Sequence, residues 1–92
     1  MANVLGFESL QLGTLVWLEA YDDDEYRMML YPARVTEFFG GVVGFKILNP
    51  MGSGRREIFL WDDDYNYRFG WRCWDRYPSR KEGFLQYGQV GA

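Results

Sequence analysis

Hydrophobic and polar side chains alternate along much of the chain, on both sides of a Gly40-Gly41 pair. A period of two is typical of strands with one buried face, and a glycine pair between two such runs is typical of a hairpin turn. The pattern therefore predicts a hairpin formed by residues 27–39 and 43–47. Its alternating apolar positions are Tyr31, Ala33, Val35, Val43, Phe45 and Ile47.

Three further strands are predicted, one before this hairpin and two after it. Branched and aromatic side chains favour a strand over residues 13–18, and alternation favours one over residues 55–61. Residues 67–74 are predicted as the last strand. Because proline cannot donate a hydrogen bond to a neighbouring strand, Pro32 is expected at a sheet edge or in a bulge.

One short helical turn is predicted after Pro78, where Ser79 and Glu82 match a capping box. The 92 residues have the length of one domain, which we place at residues 1–85. Small residues without an apolar anchor predict a frayed tail over 86–92. Several short strands in so short a chain indicate an all-β fold, a small barrel with its core inside.

The same alternation predicts which aromatic side chains face outward. Eight apolar positions are expected to face the core: Val16, Leu18, Ala33, Val35, Phe45, Ile47, Ile58 and Leu60. Trp17, Phe59 and Trp61 then face outward together, and exposed aromatic clusters mark interaction surfaces. Three interpretations stay open: cover by a C-terminal aromatic extension, a partner-binding face, or an aromatic pocket for a small ligand or modified peptide. The extension contains Trp71, Trp74, Tyr77 and Phe84.

Composition narrows the possible chemistry. The chain has no histidine and one cysteine, so it lacks the Ser-His-Asp and Cys-His systems and imidazole metal ligands. Cys73 lies between bulky aromatic residues and is expected to be a buried, unreactive thiol. No catalytic, cofactor-binding or metal-binding residues are predicted, and we expect a protein that is not an enzyme. Without a signal peptide or a long apolar run, a cytoplasmic location with no membrane partner is expected.

Charge is unevenly distributed around a net value of −3. Two acidic runs are candidates for steering a protein partner: Asp22, Asp23, Asp24 and Glu25, and then Asp62, Asp63 and Asp64. Solvated loops are the alternative interpretation. Calcium binding is disfavoured because the alternating spacing of a calcium loop is missing.

Arginines concentrate towards the C-terminal end and alternate with aromatic residues. This arrangement suits single-stranded nucleic acid, in which phosphates pair with cations and bases stack on rings. The acidic composition argues against it as the main function. The candidate residues for this alternative are Arg68, Trp71, Arg72, Trp74 and Arg76.

Three segments of the first half carry a resemblance to a known family. Residues 13–17 read Gly-Thr-Leu-Val-Trp, residues 31–35 read Tyr-Pro-Ala-Arg-Val, and residues 43–47 read Val-Gly-Phe-Lys-Ile. They resemble the opening of an SH3-like barrel, most closely in the Tudor and PWWP group. The resemblance implies a peptide-binding barrel, in that group often with an aromatic cage for methylated lysine or arginine.

The second half carries a different resemblance. Residues 71–79 read Trp-Arg-Cys-Trp-Asp-Arg-Tyr-Pro-Ser, which is similar to a segment of small bacteriophage and prophage proteins of uncharacterised function. The resemblance implies a bacterial cytoplasm and raises the expectation of a non-catalytic module that binds, and in some cases inhibits, a host or defence complex. A homo-oligomer is also compatible with the sequence.

Overall fold

A computed structural model describes residues 1–48, 56–67 and 69–79. It contains five strands: β1 (Leu15–Asp22), β2 (Arg27–Phe39), β3 (Val42–Ile47), β4 (Glu57–Trp61) and β5 (Arg72–Trp74). All of them pair antiparallel in one sheet, in the order β4-β3-β2-β1-β5. The all-β prediction is confirmed. No helix in the described part has the length and apolarity needed to cross a bilayer.

The core lies on one face of this sheet and receives side chains from every strand. Seven of the eight apolar positions expected to face inward are buried, and Leu60 packs against them while partly exposed. Ile58 of β4 and Cys73 of β5, on opposite edge strands, belong to the same hydrophobic cluster. The sheet therefore curls until its two edges share a core.

Pro32 occupies a central strand, so the prediction of an edge position or a bulge is wrong. It pairs with Trp17 of β1, and its carbonyl accepts a hydrogen bond from the Leu48 N–H at 2.8 Å. Proline has no N–H, and at Pro32 this group would have faced β3. Because β3 ends at Ile47, the one missing hydrogen bond lies just beyond the end of that strand. The irregularity in register lies further along β2, between Val35 and Glu37.

The last strand is shorter than predicted, and the segment before it is irregular. Only Arg72–Trp74 form a strand, instead of residues 67–74. Gly70 lies so close to the Asp64 carbonyl that an added Cβ would be 1.8 Å from its oxygen. The chain turns here, with the Gly70 N–H donating to the Tyr67 carbonyl at 3.1 Å, so the strand begins only at Arg72.

Two short 3₁₀ turns, Phe7–Ser9 and Asp62–Asp64, were not predicted. The N-terminal segment also pairs with the far side of β5, through a bridge between Val4 and Trp74. Several predictions fall on residues that are not described. They are the loop at 49–54, Arg68, the part of the helical turn that follows Ser79, Phe84 and the tail at 86–92.

Candidate functional site

An exposed aromatic ladder crosses three strands on the outer face of the sheet. Phe39 lies opposite Val42 in β3, and Val42 lies opposite Trp61 in β4. Residues opposite each other in antiparallel strands share a face, and Phe59 joins them because it stands two positions before Trp61. Phe39, Phe59 and Trp61 are 58%, 50% and 62% exposed. We define the aromatic ladder as Phe39, Val42, Phe59 and Trp61.

Gly44 leaves room for the Phe59 ring beside the neighbouring strand. Gly44 and Phe59 are register partners, and a Cβ at Gly44 would meet the Phe59 Cε1 at 3.0 Å. The same Cβ would meet the Glu37 Cγ at 2.7 Å, so both side chains extend over the glycine. The ladder is therefore bordered by a carboxylate on its β2 side.

The second acidic run continues directly from the ladder. Asp62, Asp63 and Asp64 form the exposed 3₁₀ turn after Trp61, which we call the acidic turn. The Asp62 N–H donates to the Gly41 carbonyl at 2.8 Å, which holds the acidic turn beside the β2–β3 turn. Aromatic surface and clustered negative charge thus meet at one end of the sheet.

Trp17 shares the outer face but lies away from the ladder. Strands β2 and β3 separate β1 from β4, three interstrand spacings or about 14 Å along the sheet. Trp17 instead packs edge-on against Tyr77, with ring centroids 5.0 Å apart. Within the part of the chain that the structure describes, Tyr77 covers part of Trp17, whereas Phe59 and Trp61 are exposed. The three residues do not form one cluster.

A shallow pocket of about 160 Å³ lies beside Trp17. Its lining is Leu15, Val16, Trp17, Pro32, Leu48 and Asp75. The hydrogen bond from the Asn3 backbone N–H lowers the pKa of the Asp75 carboxyl, which therefore stays ionised at neutral pH. We call this hollow the Trp17 pocket.

The first acidic run lies at the opposite end of the sheet, at the tip of the β1–β2 hairpin. Asp22 is 1% exposed, and its Oδ1 accepts hydrogen bonds from the backbone N–H groups of Asp24 and Glu25. Its Oδ2 accepts one from the Tyr31 hydroxyl. Asp22 thus stabilises the turn from inside. Of the four acidic residues in this run, Asp23, Asp24 and Glu25 are exposed.

The arginine and aromatic residues near β5 are only partly accessible. Trp71 and Trp74 are 2% and 3% exposed, so neither ring offers a face on which a base could stack. The Trp71 Nε1 donates to the Trp61 carbonyl at 2.7 Å. The Arg72 guanidinium lies over the Trp74 ring, while Arg76 is exposed.

A buried carboxylate on β1, that of Glu19, was not predicted from the sequence. Glu19 is fully buried, and its Oε1 accepts hydrogen bonds from Arg72 Nε at 2.9 Å and Trp74 Nε1 at 2.7 Å. Its Oε2 has no hydrogen-bond partner among the described residues. Alternation places Glu19 on the outer face with Trp17. No sequence signal shows that β5 covers it there.

Two groups in the core have strongly shifted acidity. Burial raises the pKa of the Cys73 thiol well above its ordinary range, in agreement with the expected unreactive cysteine. Burial also raises the pKa of Tyr65 to about 12, while its hydroxyl donates to the Leu5 carbonyl at 2.5 Å. Among the described residues, no group of three or more acidic or cysteine side chains is arranged to hold a metal ion.

No known family model, curated protein or solved structure matches the chain. The resemblances to SH3-like barrels and to phage proteins therefore stay predictions.

Proposed function

We propose that this protein is a non-catalytic protein-binding module whose aromatic ladder and acidic turn bind a basic, apolar segment of a partner protein. The observation that carries the proposal is the continuity of the ladder across β2, β3 and β4, with three carboxylates directly beside it.

Each half of this surface has a separate physical role. Exposed Phe and Trp side chains bury a large apolar area while losing little rotamer entropy, so they act as anchors in interfaces. Clustered carboxylates attract a basic partner and orient it before contact, an effect that weakens with salt. Anchors and steering charges side by side favour a partner with apolar residues next to lysine or arginine.

The phage-like segment at residues 71–79 supports a bacterial partner, such as a host or defence complex, met in the cytoplasm. We assign inhibition of that complex to the module as its activity. The fold that we assign to the module is the SH3-like barrel implied by residues 13–47.

The test compares capture of proteins by purified baits from a bacterial lysate, with and without nuclease treatment. Phe59→Ser with Trp61→Ser removes the anchors, and capture of the wild-type partner is expected to be lost. Asp62→Asn with Asp63→Asn removes two charges from the acidic turn. The matched control, Asp23→Asn with Asp24→Asn, removes the same charge from the opposite end of the sheet.

We expect the Asp62/Asp63 variant to lose at least about tenfold in affinity, because a close charge pair across an interface can contribute about 1.5 kcal/mol or more. The control is expected to bind like wild type. Equal loss in both variants would show that net charge acts without a specific site. Capture that survives the loss of Phe59 and Trp61 would reject the ladder as the binding surface, and capture that vanishes only with nuclease would favour nucleic acid.

The Trp17 pocket supports a second candidate, binding of a cationic or methylated side chain. An aromatic face and an ionised carboxylate, Trp17 and Asp75, line the same hollow, as cation recognition requires. Titration of trimethyl-lysine and unmodified lysine peptides, followed by Trp17 indole resonances, tests it. The same resonances in Asp75→Asn provide the control. Identical spectra at saturating peptide would reject the pocket.

A further inference from the structure

Among the residues that the structure describes, the outer edge of β4 is an open hydrogen-bonding edge. β4 pairs with β3 on one side, and no described strand pairs with the other side. The Ile47 N–H donates to the Arg56 carbonyl, and the Asp62 N–H donates to the Gly41 carbonyl. These two pairs continue the β3–β4 register by one residue at each end, so they fix the phase of its hydrogen bonds.

This phase determines which backbone groups of β4 point outward. In an antiparallel ladder, successive residues direct their N–H and C=O groups alternately towards and away from the neighbouring strand. Residues 56, 58, 60 and 62 therefore bond to β3, whereas Glu57, Phe59 and Trp61 direct theirs to the open edge. The Trp61 carbonyl accepts the Trp71 indole N–H but keeps a second lone pair.

The sequence of this edge is complementary to itself when read in the opposite direction. Around Phe59 the residues run Arg56-Glu57-Ile58-Phe59-Leu60-Trp61-Asp62. Two copies paired antiparallel with Phe59 at the centre place Arg56 opposite Asp62 twice. They also place Ile58 opposite Leu60. Centring the pair on Glu57 instead would set two carboxylates directly opposite each other, which is unfavourable.

We propose that the occupant of the β4 edge is a second copy of this chain, in a two-fold symmetric dimer that pairs Phe59 with Phe59. All three residues with outward backbone groups then form hydrogen bonds in this register. The two aromatic ladders become neighbours on one ten-stranded surface, since each contains Phe59 and Trp61.

The charge pattern allows a test by exchange of charges. Arg56→Asp places Asp opposite Asp62, and Asp62→Arg places Arg opposite Arg56, so each variant alone repels its own copy. Mixed together, the two variants form complementary pairs at both ends. The solution mass of each is measured by sedimentation over a range of concentrations extending to millimolar, alongside wild type and the double variant.

Wild type is expected to dimerise, and each single variant is expected to dimerise at least about tenfold more weakly, because two cross-strand pairs change from attraction to repulsion. The mixture and the double variant are expected to recover dimerisation. A monomeric mass for wild type at every concentration would overturn the proposal. So would a dimer that neither single variant weakens.

Amide hydrogen exchange locates the interface residue by residue. The Phe59 N–H is expected to exchange slowly only at concentrations at which the dimer forms. The Leu60 N–H, which bonds to β3, is the internal control and is expected to be protected at every concentration. A dimer that leaves the Phe59 N–H in fast exchange would place the contact elsewhere and reject β4. These measurements use purified protein alone, so their failure leaves the proposed partner binding untouched.

Discussion

The Tyr31 hydroxyl donates a 2.5 Å hydrogen bond to the buried Oδ2 of Asp22, nine residues earlier in the chain. The other oxygen of Asp22 accepts the two N–H groups of the hairpin tip, so one carboxylate ties the turn to the strand beside it. The first acidic run therefore contains one structural residue and three exposed ones.

Replacing Asp22 should destabilise the fold far more than replacing its neighbour. Asp22→Ala leaves two backbone donors and a buried hydroxyl without their charged acceptor, and hydrogen bonds to charged groups contribute about 1.5–3 kcal/mol each. We expect a loss of at least about 3 kcal/mol in the free energy of unfolding, measured with urea, because three such hydrogen bonds are removed together. Asp23→Ala, at an exposed position, should change it by less than about 0.5 kcal/mol. Equal effects would contradict the assigned role of Asp22.

The Glu19 and Arg72 side chains should be strongly coupled. Removing one partner of a buried ion pair leaves the other charge uncompensated, at a cost of about 3–5 kcal/mol. The stability lost in Glu19→Ala is expected near the lower end of this range, because 19% of the Arg72 side-chain surface stays exposed to water. In a double-mutant cycle, adding Arg72→Met to Glu19→Ala should cost much less than Arg72→Met does alone. Additive losses would show that the pair does not interact energetically.

Stability should fall in alkaline solution because of Cys73. The thiol ionises near pH 8.5 in an unfolded chain, whereas burial raises its pKa in the native state. Above pH 8.5 the native state holds a proton that the unfolded state has lost. The free energy of unfolding then decreases by up to about 1.4 kcal/mol per pH unit.

Denaturant titrations between pH 8 and pH 10 measure this slope. Cys73→Ala provides the control and should show a shallower dependence in that range. Tyr65, with a native pKa of about 12, adds a further loss only above its ordinary value of 10. A slope unchanged by Cys73→Ala would assign the alkaline effect to other groups.

Gly70→Ala should be among the most damaging conservative changes in the chain. The added Cβ would overlap the Asp64 carbonyl, a backbone atom that cannot rotate away. Overpacking typically costs about 1–3 kcal/mol, and overlap with a backbone atom places this change at the upper end of that range. Thermal unfolding is the measurement. Gly13→Ala is a useful comparison because its added Cβ meets nothing within 4 Å, so only the positive φ of 88° penalises it.

Local pattern predicted the strands and the buried face because alternation is a property of neighbouring residues. The distribution of the aromatic residues could not be predicted in the same way. Trp17, Phe59 and Trp61 were correctly expected on one face, but their separation depends on strand order, which brings β4 and β1 to different parts of the sheet. Glu19 is buried for a similar reason, because a strand more than fifty residues later covers it.

The antiparallel pairing of β1 with β5 has a consequence for the order of folding. Trp17 is joined to Trp74, and the Asn3 carbonyl accepts the Asp75 N–H across 72 positions. Contacts of such long sequence separation slow folding, because a large loop must close before they contribute. During synthesis, the first two hairpin strands can form early, but Glu19 stays uncovered until β5 leaves the ribosome. The nascent chain therefore displays a hydrated carboxylate that the finished protein hides.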